Sequence, residues 1–328
     1  MYDALPRESR LYEQIARNKR ASLELLANVV ALWLLLGLLI GFAITQTAAG
    51  GLDLLVCFGV MAVVFGLLAY YRGASLLLHI SRAREVAHDE APQLWNVVEE
   101  LSIAAGIPMP RVFIIDDLSP NAFATGRDPR HSAVVATSGL LHRMNREELQ
   151  GVMAHELAHI RTYDVRFATL VGVLVGMIAL VSDYFLRSTM YRMAGGRAAR
   201  NLVGVLILAA ALALAAIAPL SARLVQLAIS RRREYLADAS AVEITRDPLA
   251  LASALEKIDG DPRPVAETNR ATAHLYIANP IKRMSGDGLF DTHPPIEKRI
   301  AILRSMAATS LPQEDPASPA APAGSVAR

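Results

Sequence analysis

Two histidines one helical turn apart, His155 and His159, stand in the stretch MAHELAHIRTYD (residues 153–164), with Glu156 directly after the first. On a helix, residues i and i+4 share a face, so the two imidazoles point the same way and can ligate one ion as neutral donors. Glu156 is rotated by about a third of a turn from His155. It can sit beside such an ion without ligating it, placed to take a proton from a metal-activated water. This is the chemistry of metal-assisted hydrolysis. A catalytic zinc site needs three protein ligands and one open position. A metzincin would place a glycine three residues and a histidine six residues after His159; Thr162 and Val165 stand there, which excludes that class. A glutamate on a second helix is the other common solution. SRRREYLADASA (residues 230–241) offers Glu234, with Asp238 one turn later. Glu234 then completes the ligand set, and Asp238 orients a ligand imidazole from behind. The competing reading of Glu234 is an ordinary helix carboxylate paired with a neighbouring arginine.

The elements that must position these residues can be read outward from them. Asn145 with Glu148 three residues later forms a capping-box pattern, which starts the helix bearing His155 and His159. That helix is expected to run straight into a third apolar run at 167–182. A fourth run, 202–222, leads into the helix bearing Glu234, from Arg223 to about Arg246, stopped by Asp247-Pro248. Two traverses, or one re-entrant dip, would both return the chain to the side it left, so the ligands lie above one membrane face. Two earlier runs, 25–52 and 54–71, carry no charge and are each long enough to span a hydrocarbon core. The charged lead is too long, and the run after it too extended, for a cleavable signal peptide, so the expectation is an uncleaved anchor. Arg7, Arg10, Arg17, Lys19 and Arg20 precede the first span, and Arg72, Arg82 and Arg84 follow the second. The positive-inside rule puts both groups on the cytoplasmic side. Arg187, Arg192, Arg197 and Arg200 between the third and fourth runs oppose that rule if 165–222 fully crosses, and the sequence leaves the choice open.

Composition agrees with a membrane protein: 53% of residues are hydrophobic and the mean hydropathy is +0.32, above the usual soluble range. A net charge of +2 gives no nucleic-acid footprint. The single cysteine, Cys57, excludes an intramolecular disulfide and a cysteine-based metal cluster. Between 72 and 164 the signals are those of an α+β module. A helix over 92–105 is ended by Gly106 and Pro108, RVFII (111–115) is a strand, and NAFATG (121–126) and HSAVVAT (131–137) flank RDPR as a hairpin. Pro248 and Gly260 bracket another helix, and a last one runs from about Pro295 to Met306. The fold class is therefore α+β, a mainly helical integral membrane protein. A zincin-like (gluzincin) catalytic domain with a small β-sheet is joined to four candidate transmembrane helices. Its parts are a cytoplasmic lead (1–24), two transmembrane helices (25–71), a protease part with the histidine helix (72–164), a membrane hairpin (165–222), a protease part with the third ligand (223–306), and an Ala/Pro/Ser-rich tail (307–328) expected to be disordered.

HELAHIRTYD, SRRREYLADASA and FDTHPPIEKRIAIL (290–303), with NAFATG followed by VVATSGLL, together resemble the HtpX-type membrane zinc metalloproteases, relatives of the CAAX prenyl endoprotease. The resemblance covers nearly the whole chain except the tail. It implies one Zn2+ per chain held by His155, His159 and Glu234, with Glu156 as catalytic base. It also implies endoproteolysis of damaged or misfolded membrane proteins in quality control, in the bacterial inner membrane, with the active site facing the cytoplasm. Polypeptide substrates and the lipid bilayer are then the partners, and nucleic acid is not. Three further residues are candidates for contacts to substrate or transition state. His293 would donate to the developing oxyanion or serve only as a helix-initiating turn; Arg299 would hold substrate backbone or pair with an acid such as Asp238. Asn121 heads a strand that would bind an extended peptide by β-augmentation if it lies at a sheet edge. His79, His88, His131, His142 and His274 have no histidine or acid at i+4 and read as bystanders. The rival readings are a prenyl-protein protease and a membrane scaffold with a vestigial metal site; an intact ligand set with Glu156 beside it weighs against the second.

Overall fold

The structure, a computed structural model, describes residues 7–174, 187, 231–263, 273–278 and 294–310. Helices α1 (Arg7–Thr45) and α2 (Ala48–Ile80) form an antiparallel hairpin turned at Gln46 and Thr47. They approach closely through glycine: a Cβ on Gly41 would fall 2.2 Å from the Gly50 carbonyl oxygen. Both helices are long and apolar enough to cross a membrane, and Leu35, Leu39, Phe42, Val56, Val60 and Leu67 are exposed along them. So much exposed apolar side chain marks a surface made for something other than water. Lead and first span are one continuous helix. α2 continues past Tyr71 to Ile80, and its last turns bury Leu77 and Leu78 in the domain below. Two candidate spans, rather than four, thus fall among the described residues.

A small mixed sheet separates two cores. β1 (Arg84–Glu85), β2 (Arg111–Ile115), β3 (Ala122–Asp128) and β4 (His131–Thr137) lie in the order β1-β2-β4-β3. The β2–β4 pair is parallel and the other two are antiparallel. Side chains alternate along a strand. Val112, Ala122, Ala124, Val134 and Ala136 therefore face one core, beneath the helices, while Phe113, Phe123, Ala133 and Val135 face the other, against the end of α2. Burial on both faces explains why these strands read as continuous apolar runs. The expected hairpin is the β3–β4 pair, with an irregularity at Gly126–Asp128 where Gly126 takes φ 153°.

Above the sheet, α3 (Pro92–Ala105) starts on proline and ends on Gly106 in the left-handed region, as its sequence requires. After the short α4 (Ser138–Arg143), α5 (Arg146–Arg161) carries the two histidines. It does not run straight on. At Thr162 and Tyr163 the chain turns, with Tyr163 at φ 64°, and a new helical run, α6, begins at 164 and is described to 174. The Thr162 hydroxyl bonds the Ala158 carbonyl and the Asp164 carboxylate, which stabilises the break. Leu170, Val173 and Leu174 of α6 are buried in the core beneath the sheet, so the start of the third apolar run is packed against protein. The remainder of that run, and the fourth, lie outside the described residues. Helices α7 (Arg231–Thr245), α8 (Pro248–Asp259) and α9 (Ile296–Ser310) pack beside α5 or on one another. α9 extends four residues into the expected tail, and the rest of the tail lies outside the described residues.

Candidate active site

α5 is held at both ends before it holds anything else. The Asn145 side chain accepts from the Glu148 N–H, and the Glu148 carboxylate accepts from the Asn145 N–H, the expected capping box. Glu148 also accepts from Ser253 Oγ and Lys257 Nζ, each at 2.6 Å, which ties the start of α5 to α8. At the other end, Asn18 of α1 donates to the Thr162 carbonyl at 2.9 Å, and Lys19 lies 4.3 Å from the Tyr163 ring centre. A membrane-hairpin helix thus grips the turn that follows the histidines.

On the inner face of α5, His155 and His159 direct their Nε2 atoms at each other, 3.2 Å apart. Glu234 of α7 brings Oε1 to 3.6 Å from His159 Nε2 and Oε2 to 3.7 Å from His155 Nε2. One donor atom from each of the three residues lies within 4.8 Å of the others. Nitrogen or oxygen donors on a tetrahedral zinc ion with ~2.0–2.1 Å bonds sit about 3.3 Å apart, so the set matches after closing by a few tenths of an ångström. Orientation fits as well. His155 Nδ1 donates to Asp238 Oδ1 at 2.9 Å, and His159 Nδ1 lies 3.5 Å from Asp164 Oδ2. Engaging Nδ1 on the far side leaves the Nε2 lone pair directed into the site. The donor chemistry and spacing therefore fit zinc.

The charges around the ligands are distinct. Burial holds His155 neutral, its pKa lowered to about 4 despite the Asp238 contact. Burial also disfavours the charged form of His159, but the carboxylates of Asp164, Glu234 and Glu156 outweigh it and raise the pKa to about 9. Glu156 is 2% exposed. Burial raises its pKa to about 7, with Glu234 adding to the shift while His159, Arg299 and a hydrogen bond from the Ala124 N–H oppose it. Asp238 resists burial because Arg299 and His155 hold it ionised, at about 2.

Arg299 lies behind the ligands, fully buried. Its Nε and Nη2 grip Asp238 at 2.9 and 2.7 Å, and its Nη1 donates to the Ile277 carbonyl at 3.1 Å. Asn121 is buried as well: Nδ2 donates to the Ala278 carbonyl at 3.0 Å, and Oδ1 accepts from the Ala122 and Ala278 N–H groups. Both groups touch the backbone of residues 277–278. Among the described residues β3 is the last strand of the sheet. His293 lies outside the described residues.

Three contributors escape a reading by spacing. Asp164 stands five residues after His159, about 140° away on an unbroken helix, and only the turn at Tyr163 brings it back. Arg233, 3.5 Å from Asp164, follows it into the pocket wall. His274, taken as a bystander, lines the pocket with the ligands and bonds the Ala168 carbonyl at 3.0 Å. The remaining wall is mostly apolar, formed by Ala124, Val165, Phe167, Ala168, Leu275, Tyr276 and Ile277.

Residues 88–307 match peptidase family M48. Over 303 residues the chain is 45% identical to the protease HtpX homolog of Ligilactobacillus salivarius (strain UCC118), a match spanning 90% of this chain and all of that protein. It is 44% identical over 296 residues to the protease HtpX homolog of Dictyoglomus turgidum (strain DSM 6724 / Z-1310), spanning 90% of this chain and 94% of that one. A distant structural likeness is to S. mikatae Ste24p, at 17% identity and TM-score 0.46 over 89% of this chain and 67% of that chain. On the family match and on these HtpX relatives, the chain belongs to peptidase family M48 as an HtpX-type metalloprotease.

Proposed function

We propose that this protein is a zinc-dependent endopeptidase of the bacterial inner membrane that cleaves misfolded or damaged membrane proteins in quality control, with its active site facing the cytoplasm. The observation that carries the reading is the convergence of His155, His159 and Glu234 with a buried Glu156 beside them. His155, His159 and Glu234 would hold the ion, while Asp238 and Asp164 fix the two imidazoles. Bound there, zinc would supply positive charge for a water and the scissile carbonyl. Glu156 would take a proton from the attacking water and return it to the leaving amine. A carboxyl group held near neutrality is suited to both transfers. The hairpin α1–α2 crosses the bilayer and fastens the domain against the face where membrane-protein substrates emerge.

The test is Glu156→Gln in the purified full chain. The amide keeps size and shape and removes no ligand, so zinc content should match wild type while peptide cleavage falls by about 10²- to 10⁴-fold, the usual worth of a positioned general base. Unchanged cleavage removes Glu156 as the base. Loss of zinc makes it a ligand instead.

A further inference from the structure

Residues 276–278 form a bend that lies against the outer edge of β3. The Ile277 N–H donates to the Ala122 carbonyl at 2.9 Å. Ala278 exchanges two bonds with the Asn121 amide, donating its N–H at 3.4 Å and accepting at 3.0 Å. Ile277 thus stands opposite Ala122, and Ala278 lies against the Asn121 side chain. From the other side, the Ile277 carbonyl is held by Arg299, whose Nη1 is also 3.7 Å from Glu234 Oε2. Edge strand, side-chain amide and buried guanidinium together satisfy main-chain groups alone, the general way to hold an extended peptide whatever its sequence.

An extended strand paired antiparallel with β3 at Ala122 would reach, two residues on, the position opposite Ala124, whose N–H meets the Glu156 carboxyl. The resident segment does not continue. It is bent into the single turn Ala273–Leu275, so it fills the strand position next to the catalytic glutamate without extending past it. Its side chains are buried on both faces. Tyr276 packs edge-on against Phe123 with ring centres 4.9 Å apart, and Ile277 and Ala278 join the core that includes Ala122 and Ala124.

We propose that residues 276–278 occupy the place of the substrate strand, held by Ala122, Asn121 and Arg299, and that a substrate binds by displacing them. The inference rests on the reading of the site as a peptidase. It also names the substrate class. The vacated slot is lined by apolar side chains on both sides, so it is refilled by an extended strand with adjacent bulky apolar residues, such as an unfolded membrane segment offers. A charged side chain there would be buried without a partner.

The experiment uses the zinc-loaded full chain carrying Glu156→Gln, in detergent, with amide hydrogen exchange as readout. The probe is a synthetic acetylated and amidated copy of residues 274–279, with a second version bearing lysine at the position matching Ile277. The first peptide should raise exchange at residues 276–278 at least tenfold while β3 stays protected, and the lysine version should do neither. Unchanged or increased protection at 276–278 when the first peptide binds, or no binding at all, would show a permanent wall and overturn the proposal. A second arm joins the strands by Ala122→Cys with Ile277→Cys in a Cys57→Ser chain. Oxidation should reduce peptide cleavage more than tenfold with zinc retained, and reductant should restore it; full activity in the cross-linked form overturns the proposal too. If that chain fails to fold, as absent zinc would reveal, the exchange measurement decides alone. Release of 276–278 requires no cleavage, so its outcome is separate from whether Glu156 is the base.

Discussion

Asp164 meets His159 at 3.5 Å, the Thr162 hydroxyl at 3.1 Å and Arg233 at 3.5 Å, a contact set that holds the carboxylate at the back of one imidazole. In the proposed zinc site such a partner keeps the ring orientation and raises ligand basicity, and its loss costs ~10–100-fold in metal affinity. Asp164→Ala should therefore weaken zinc retention by about that factor in a chelator competition; wild-type affinity would leave Asp164 only closing the turn. Zinc uptake should also depend on pH. With its pKa near 9, His159 of the metal-free protein carries a proton at neutral pH, whereas His155, near 4, does not. Binding must expel that proton. Apparent zinc affinity should rise about tenfold per pH unit between 6 and 8 and level off above about 9. A flat profile from pH 7 to 8.5 would show His159 already neutral.

At the scale of the element, α5 depends on Glu148, a capping residue that is also the anchor of α8. Burial works against its ionisation, but bonds from Lys257, Ser253 and the Asn145 N–H outweigh that and hold its pKa below the ordinary value. The sign follows: the stabilisation is present above the ordinary carboxylate pKa and is lost as pH falls through the depressed one. Glu148→Gln should cost about 1–2 kcal/mol at pH 7, most of it from the cap and the buried bond to Ser253, because Lys257 is 43% exposed and its ion pair is screened. The gap between variant and wild type, measured by denaturant midpoint, should narrow below about pH 4. A gap that stays constant to pH 3 would show that the charge contributes nothing.

The whole molecule joins a membrane hairpin to the catalytic domain through α1. Asn18 and Lys19 contact the Thr162–Tyr163 turn, and the end of α2 buries Leu77 and Leu78 beneath the sheet. These contacts bring the N-terminal end of α1 and the domain after α2 to one side of the hairpin. Its turn, at Gln46 and Thr47, lies at the opposite end. In the proposed orientation, reporter fusions after Gly50 should report the outside and fusions after Arg84 the cytoplasm. The reverse pattern would invert the protein, and the same side for both would mean that the hairpin does not span.

Several features of this protein are legible in its sequence because they depend on local geometry. The shared face of His155 and His159 follows from helical periodicity, and the start of α5 from the Asn145–Glu148 box. The ends of α3 and α7 follow from Gly106 and from Asp247-Pro248, and the β3–β4 hairpin from two apolar runs around a polar link. Glu234 and Asp238 were reachable because they too are one turn apart and a ligand set needs completing. What only the tertiary structure decided is which distant groups meet. Arg299 reaches the His155–Asp238 pair across 144 residues of chain, and Asn121 takes hold of Ala278 across 157. The break at Tyr163 turns Asp164 back onto His159. No short-range pattern encodes these contacts. They arise where buried donors and carbonyls must find partners once the two cores have closed on the sheet, and that closure is a property of the packed chain as a whole.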